Sequence, residues 1–164
     1  MRELLRPQRP ADFLIKKSVG TVFSATPASK GLTEFLRPFA AALSALPHSA
    51  RKRLAFHLGA RLVRLLQEHF MKFSYSNLGG AQLAEDFRVY ASLLQEVGDA
   101  ESQTRFSDLK LLFTLVMVEP EGLRAYSEEY LLPRFPREMI EEILHKRTDF
   151  KSSGLHKLIA SLPR

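Results

Sequence analysis

Hydrophobic side chains recur at spacings of three and four along most of the chain. The clearest stretch is residues 73–118, where a polar break at Gly98-Asp99-Ala100 separates two apolar stripes. Each stripe follows one face of an α-helix, and a short break lets two helices turn back on each other. The stripes consist of Leu83, Phe87, Tyr90, Leu94 and Val97, then Phe106, Leu109, Leu112, Phe113 and Val116. We predict two antiparallel helices, with Glu85, Asp86 and Arg88 on the polar face.

Two adjacent glycines, Gly79 and Gly80, lie just before this helix pair. Glycines between two apolar patterns allow the chain to turn and the backbones to approach closely. The pair does not follow a strand and lacks the further glycine and the lysine of a phosphate-binding loop. We therefore predict a helix–helix corner in which Gly79 and Gly80 are packing residues.

Further apolar stripes predict further helices. They cover residues 32–46, 54–73 and 139–144, and a last short helix is predicted from residue 152 or 153 to 159. A first helix should begin near Asp12, and residues 26–31 are typical of a turn-rich connection. Pro38 lies within a stripe, so the helix should kink there or begin just before it, because proline lacks a backbone donor. Ser49 is the expected N-cap of the next helix.

Strand-like alternation does not persist anywhere in the sequence, so the predicted fold class is all-α, an antiparallel helical bundle. We divide it into an irregular lead (residues 1–10), N-terminal helices that include a long basic amphipathic helix (11–75) and a C-terminal helical bundle (76–164). The lead contains Pro7 and Pro10 and is expected to be poorly ordered.

Composition supports a packed domain and narrows its chemistry. With 45% hydrophobic residues among 164, the chain can bury one sizeable core. It has no cysteine, which excludes disulfides, thiolate metal sites and thiol redox chemistry. No apolar run approaches the roughly 20 residues that a membrane-spanning helix needs, and no signal peptide is recognisable at Met1.

Positive charge is concentrated in the first half of the chain. Residues 1–80 carry 13 Lys and Arg against 4 Asp and Glu, a balance of +9, whereas residues 81–164 carry 11 against 14, a balance of −3. Arg51, Arg53, Arg61 and Arg64 lie on the long basic helix. They are either an ordinary solvated surface or a surface for acidic partners or lipid headgroups. Nucleic-acid binding is the rival class on charge alone, but the phenylalanines fall on apolar stripes, where they would serve the core.

Catalytic, cofactor and metal sites are not predicted. The five histidines are scattered, without paired spacing or neighbouring carboxylates, and are expected to be exposed or half-buried. They are His48, His57, His69, His145 and His156. The sequence alone thus favours a binding or structural protein over an enzyme.

Three segments resemble one known family. Residues 77–88 (NLGGAQLAEDFR), 105–109 (RFSDL) and 147–152 (RTDFKS) are similar, in this order, to the C-terminal region of subunit four of the conserved oligomeric Golgi complex, a vesicle tether. The resemblance covers most of residues 32–162. It implies an all-α rod-end bundle of the kind shared by multisubunit tethering complexes, without enzymatic activity.

The same resemblance implies a place in intra-Golgi retrograde transport. The expected partners are other tethering subunits and SNAREs or their regulators. The expected location is the cytoplasmic face of the Golgi, with peripheral membrane contact. A subunit of a related tether, of the exocyst or the endoplasmic reticulum, is the alternative, and a basic nucleic-acid-binding domain is the second one.

Asp108 departs from the family pattern, which carries a basic residue at that position. The corresponding partner near the start of the penultimate helix is either Arg137 or Glu138. Because two partly buried acids would repel each other, we predict an ion pair of exchanged sign between Asp108 and Arg137.

Overall fold

Helices account for most of the structure, a computed structural model that describes residues 1–15, 23–150 and 152. They are α1 (Arg2–Leu5), α2 (Pro27–Ser44), α3 (His48–Phe70), α4 (Asn77–Val97), α5 (Ala100–Phe113), α6 (Leu123–Tyr126) and α7 (Arg137–Leu144). Short 3-10 turns occur at Pro10–Asp12 and Thr114–Val116, and a π-helical turn occurs at Ser127–Leu131. The predicted all-α antiparallel bundle is confirmed.

The bundle is built around α4, which packs against α2 on one side and α5 on another, while α3 packs against α5. The predicted stripes of α4 and α5 are buried. Phe70 of α3 lies in an aromatic cluster with Phe87 and Phe113, at ring-centroid distances of 5.3 and 6.0 Å. The core cluster draws on residues from Leu5 to Leu144, so both sides of the predicted boundary at residue 75 contribute to it.

Helix α2 begins earlier than predicted and continues through Pro38. Residues 26–31 are therefore not a turn. The side chain of Thr26 accepts a hydrogen bond from the backbone N–H of Ser29, and Pro27 occupies the first helical position, where its missing N–H has no cost. Helix α3 begins at His48, so Ser49 lies inside it, and no side chain caps its first turn.

The N-terminal lead differs from the prediction, because it is folded against the bundle. Arg2–Leu5 forms a helical turn, and Leu5 is only 2% exposed. The helix predicted from Asp12 is wrong in the described part: residues 13–15 are not helical, and residues 16–22 lie outside the described residues. Phe13 is buried against Phe73 and Tyr75, with ring centroids 5.1 and 5.0 Å away.

Asp86, predicted on the polar face of α4, is completely buried. Its Oδ1 accepts hydrogen bonds from the backbone N–H of Thr26 (2.7 Å) and the hydroxyl of Ser29 (2.8 Å). Its Oδ2 accepts from the Thr26 hydroxyl (2.9 Å) and the amide of Gln8 (2.7 Å). Burial raises the pKa of Asp86, while these hydrogen bonds oppose the rise. One carboxylate of α4 thus holds the start of α2 and the lead together.

His69 extends this buried network, although sequence reasoning placed it near the surface. Its Nε2 lies 2.7 Å from the side-chain oxygen of Gln8, whose amide nitrogen donates to Asp86. Burial lowers the pKa of His69 to about 4, and the charge of Lys72 adds to the shift. The ring is therefore neutral near pH 7, and Nε2–H is the atom that donates to Gln8.

Gly79 and Gly80 lie in the first turn of α4, where Ser76 is the N-cap. A Cβ added to Gly79 would overlap the backbone oxygen of Phe13, whereas a Cβ on Gly80 would lie 2.5 Å from Cγ of the Met117 side chain. The Phe13 oxygen also accepts from the backbone N–H of Ser76, at 2.9 Å. The close approach at this helix start is thus made by the backbone of Phe13, at Gly79.

Arg147 fixes the segment that follows α7. Its guanidinium is buried and donates to the backbone oxygens of Leu115 (2.8 Å) and Val118, and it forms two hydrogen bonds with Asp149 (2.8 and 2.7 Å). A short parallel bridge joins the same segment to Tyr75. The helix predicted from residue 152 or 153 to 159 lies outside the described residues, apart from residue 152.

Candidate interaction surface

Large apolar side chains are left exposed mainly on two adjoining helices, α2 and α3, and their connection. Most of those in the described chain belong to this region, which we call the α2–α3 surface: Phe35, Phe39, Leu46, Leu54 and Phe56. Phe39 is 50% and Leu54 is 49% exposed. The prediction that the phenylalanines serve the core was therefore wrong for Phe35, Phe39 and Phe56.

The geometry of α2 explains this exposure. Its apolar stripe is wider than its contact with the bundle, since Leu32, Leu36 and Leu43 are buried while Phe35 and Phe39 lie to one side of them. The rings of Phe35 and Phe39 contact each other, with centroids 5.5 Å apart. Half of an apolar stripe that sequence reasoning assigned to the core therefore faces outward.

A groove of about 490 Å³ runs between the end of α2 and the first half of α3. Its apolar walls are formed by Phe39, Ala42, Leu43, Leu46, Leu54 and Leu58. His57 and Arg61 complete the lining on α3. The groove has the form of a channel between two helices, with an arginine at its margin.

The four arginines singled out from the sequence are all exposed on α3, but their surroundings differ. Arg64 is paired with Glu68 at 2.9 Å, and Glu68 also pairs with Arg2. Within the described residues Arg51, Arg53 and Arg61 form no salt bridge. Arg51 faces a polar cleft that Glu96 and Asp99 also line. The charges most available to a partner are thus those of Arg53 and Arg61.

The predicted ion pair between Asp108 and Arg137 was wrong. Asp108 pairs with Arg134, at 3.3 Å, and Arg137 pairs with Glu141 one turn further along α7, at 2.6 Å. Arg134 lies in the turn before α7 and reaches Asp108 of α5 from there. Glu138 is exposed at the start of α7. Asp108, Arg137 and Glu138 all lie outside the α2–α3 surface.

No cluster of three or more His, Asp or Glu side chains that could hold a metal ion occurs in residues 1–15, 23–150 and 152. No helix there is long and apolar enough to cross a membrane.

Comparison with known proteins decides the family. Residues 1–158 match the family described as "Exocyst complex component Sec10-like, alpha-helical bundle". The chain belongs to this Sec10-like family. The family is one of exocyst-type tethers and is not a family of enzymes. The resemblance to subunit four of the Golgi complex was therefore right about a multisubunit tether and wrong about which one, and the exocyst alternative is the better supported.

Individual relatives agree with the family. The chain is 29% identical over 93 residues to exocyst complex component SEC10 of Saccharomyces cerevisiae, covering 57% of this chain and 11% of that protein. It is 27% identical over 126 residues to SEC10a of Arabidopsis thaliana, covering 77% and 15%. It is 26% identical over 98 residues to human exocyst complex component 5, covering 60% and 14%. The Sec10-like chain thus spans only a small part of these relatives.

Proposed function

We propose that this Sec10-like bundle is part of an exocyst-type vesicle-tethering complex and acts through protein–protein contacts. The match of residues 1–158 to the Sec10-like helical bundle carries the proposal. Other subunits of the tethering complex are the proposed partners. Contacts with SNAREs or their regulators, and peripheral membrane contact, belong to the same proposal.

The α2–α3 surface is the proposed point of contact. Exposed apolar side chains lie next to arginines that form no salt bridge to a described residue. Together they combine the two features that protein interfaces use, a desolvated centre and charged groups that orient the partner. Arg53 and Arg61 supply most of the charge, and Arg51 and Arg64 lie beside them on α3.

Native gel filtration followed by co-purification tests the proposed function. The chain, carrying an epitope tag and expressed at its natural level, should elute with exocyst subunits, far ahead of an 18.6 kDa monomer. Charge reversal at Arg51, Arg53, Arg61 and Arg64 together should reduce the co-purified subunits. The matched control is Arg88→Glu, which changes an exposed arginine of α4 and should leave co-purification unchanged. Elution of the tagged chain as a monomer without exocyst subunits contradicts the proposal.

Single-stranded nucleic-acid binding is the second candidate function. The exposed rings of Phe35, Phe39 and Phe56, close to arginines, favour it, because bases stack on exposed aromatic rings and phosphates bind cations. Binding to polyuridine at several salt concentrations separates the two functions. A steep fall in affinity with salt, lost in Phe39→Ser, supports nucleic-acid binding, and the absence of binding at low salt excludes it.

A further inference from the structure

The α2–α3 groove has apolar walls on two adjoining helices, as a helix-binding site requires. Its α2 side is lined from Phe39 to Leu43, about 6 Å along the helix at 1.5 Å per residue, and Leu46 of the connection extends it. The α3 side repeats at helical spacing with Leu54, Leu58 and Arg61. Two helices side by side form a channel into which the side-chain ridge of a third helix packs. The shape therefore favours an amphipathic helix with its apolar face inward.

Charge specifies this helix further. Residues 35–67 contain no Asp or Glu, and their cationic residues are Arg37, Arg51, Lys52, Arg53, Arg61 and Arg64. Only Arg64 of these forms a salt bridge to a described residue. Arg61 lines the groove itself. A helix lying there would place its flanks next to positive charge, which attracts carboxylates and rejects cationic segments.

We propose that the α2–α3 groove binds an acidic amphipathic helix of a partner protein, with leucine-like side chains in the groove and Asp or Glu on the flank next to Arg53 and Arg61. The inference rests on the proposed function, because it names the class of partner segment that the tethering bundle recognises at this surface. The groove is an open depression lined by two helices, which the side-chain ridge of a third helix can fill, whereas a membrane surface is matched better by protruding side chains.

Fluorescence anisotropy with two synthetic helices tests the inference. One peptide of about 18 residues carries Leu at helical spacing and Glu on its flanks, and the second is identical except that Lys replaces every Glu. The intact chain should bind the acidic peptide at least about tenfold more tightly than the basic one. Equal affinity for the two peptides overturns the proposal.

Substitutions in the chain locate the binding. Phe39→Ser and Leu54→Ser, at side chains already about half exposed, should weaken binding of the acidic peptide about tenfold, and Arg61→Glu should reverse the preference between peptides. Tyr130→Ser is the apolar control, because Tyr130 is similarly exposed away from the groove, and it should leave both affinities unchanged. Circular dichroism of each variant confirms that the fold is retained. Loss of affinity in Tyr130→Ser, or none in Phe39→Ser and Leu54→Ser, overturns the assignment.

A membrane or a second copy of the chain at the groove would give different results from a partner helix. Sedimentation with vesicles of phosphatidylserine, abolished by Leu54→Ser while the acidic peptide does not bind, would mean that the surface meets a membrane. A dimer in light scattering that Leu54→Ser dissociates, again without peptide binding, would mean that it meets a second copy. Either result overturns the inference.

The inference and the proposed function fail separately. Acidic-helix binding without co-purified exocyst subunits leaves the groove specificity intact and rejects the tether assignment. Co-purification that survives Leu54→Ser and Arg61→Glu, with no peptide selectivity, keeps the tether assignment and rejects the groove.

Discussion

At the scale of single residues, the buried carboxylate of Asp86 has the greatest structural effect. It accepts four hydrogen bonds from Gln8, Thr26 and Ser29 without a cation beside it among the described residues. A buried carboxylate of this kind is stabilising only while its donors stay in place. Removing the carboxylate leaves buried donors without an acceptor, which costs more free energy than the hydrogen bonds contribute.

Replacing Asp86 should therefore be far more damaging than replacing its neighbour. Asp86→Ala leaves the Thr26 N–H and the Gln8 amide without their acceptor, and it should lower the free energy of unfolding by about 3 kcal/mol. Glu85→Ala removes only a surface pair with Arg88 and should change it by less than about 0.5 kcal/mol. Urea denaturation of the two variants gives the comparison. Equal stabilities would mean that the network contributes little.

His69 gives the fold a dependence on pH that has a definite sign. Its pKa is about 4 in the folded chain and near 6.5 when unfolded, so between these values the unfolded chain binds the extra proton. The stabilisation is complete above pH 6.5 and is lost as the pH falls toward 4, by up to about 3 kcal/mol at 1.36 kcal/mol per pKa unit.

The raised pKa of Asp86 acts in the opposite sense, because stability from that group is lost as the pH rises above 3.8. The difference between the chain and His69→Gln isolates His69, since glutamine can still donate to Gln8. The stability of the variant should fall less between pH 6.5 and 4.5 in urea titrations. Parallel pH profiles for both proteins would contradict the predicted shift.

At the scale of helices and their connections, the apolar periodicity predicted which segments are helical better than it predicted the residue at which each helix begins. The stripes of α4 and α5 and the Gly98-Asp99-Ala100 break were predicted correctly because local spacing determines them. The start of α2 was missed because Pro27 and Gly31 are read as turn residues unless the capping by Thr26 and its contact with Asp86 are known. The contact between Thr26 and Asp86 joins residues 60 positions apart, and no local pattern contains it.

The candidate surface was predicted in part for the same reason. The arginines of α3 are visible as charges in the sequence, whereas the exposure of Phe35 and Phe39 depends on how much of α2 the bundle covers. The signal for this exposure in the sequence was the apolar stripe of α2, which is wider than one packing contact can cover. The pair between Asp108 and Arg134 could be predicted only from the position of the turn before α7, and the spacing of residues alone does not give that position.

Of the two adjacent glycines, Gly79 is expected to be the sensitive one. Gly79→Ala forces a methyl group against the backbone of Phe13 and should destabilise the fold by about 1–3 kcal/mol. Gly80→Ala meets a flexible Met117 side chain, and the gain in helix propensity of about 1 kcal/mol offsets part of the strain. Thermal denaturation measures both variants. A larger loss at Gly80 would place the close approach on the Met117 side.

At the scale of the whole molecule, the lead is a part of the core that sequence reasoning set aside. Leu5 is buried, and Gln8 links α3 to α4 through His69 and Asp86. Segments of polar and proline-rich composition are usually peripheral. Only the tertiary contacts therefore show that the lead packs into the core of the bundle.

A pair of leucines measures how far the lead contributes to stability. Leu5→Ala should lower the free energy of unfolding by about 2–5 kcal/mol, as for other buried leucines. Leu14→Ala, just beyond the lead, changes a side chain that is 41% exposed and should cost less than about 1 kcal/mol. Chemical denaturation of both variants checks the difference. A small effect at Leu5 would restore the picture of a loosely attached lead.

The uncapped start of α3 has a consequence for the timescale on which this region opens. No acidic residue lies in the first turn, no side chain caps it, and Arg51 and Arg53 oppose the helix dipole. Backbone amides at residues 51–58 should therefore exchange with deuterated water faster than those at 62–70, because the second half of α3 is packed into the core. Binding of an anionic helix should slow the first set and leave the second unchanged. The surface that meets a partner would thus become ordered as contact is made.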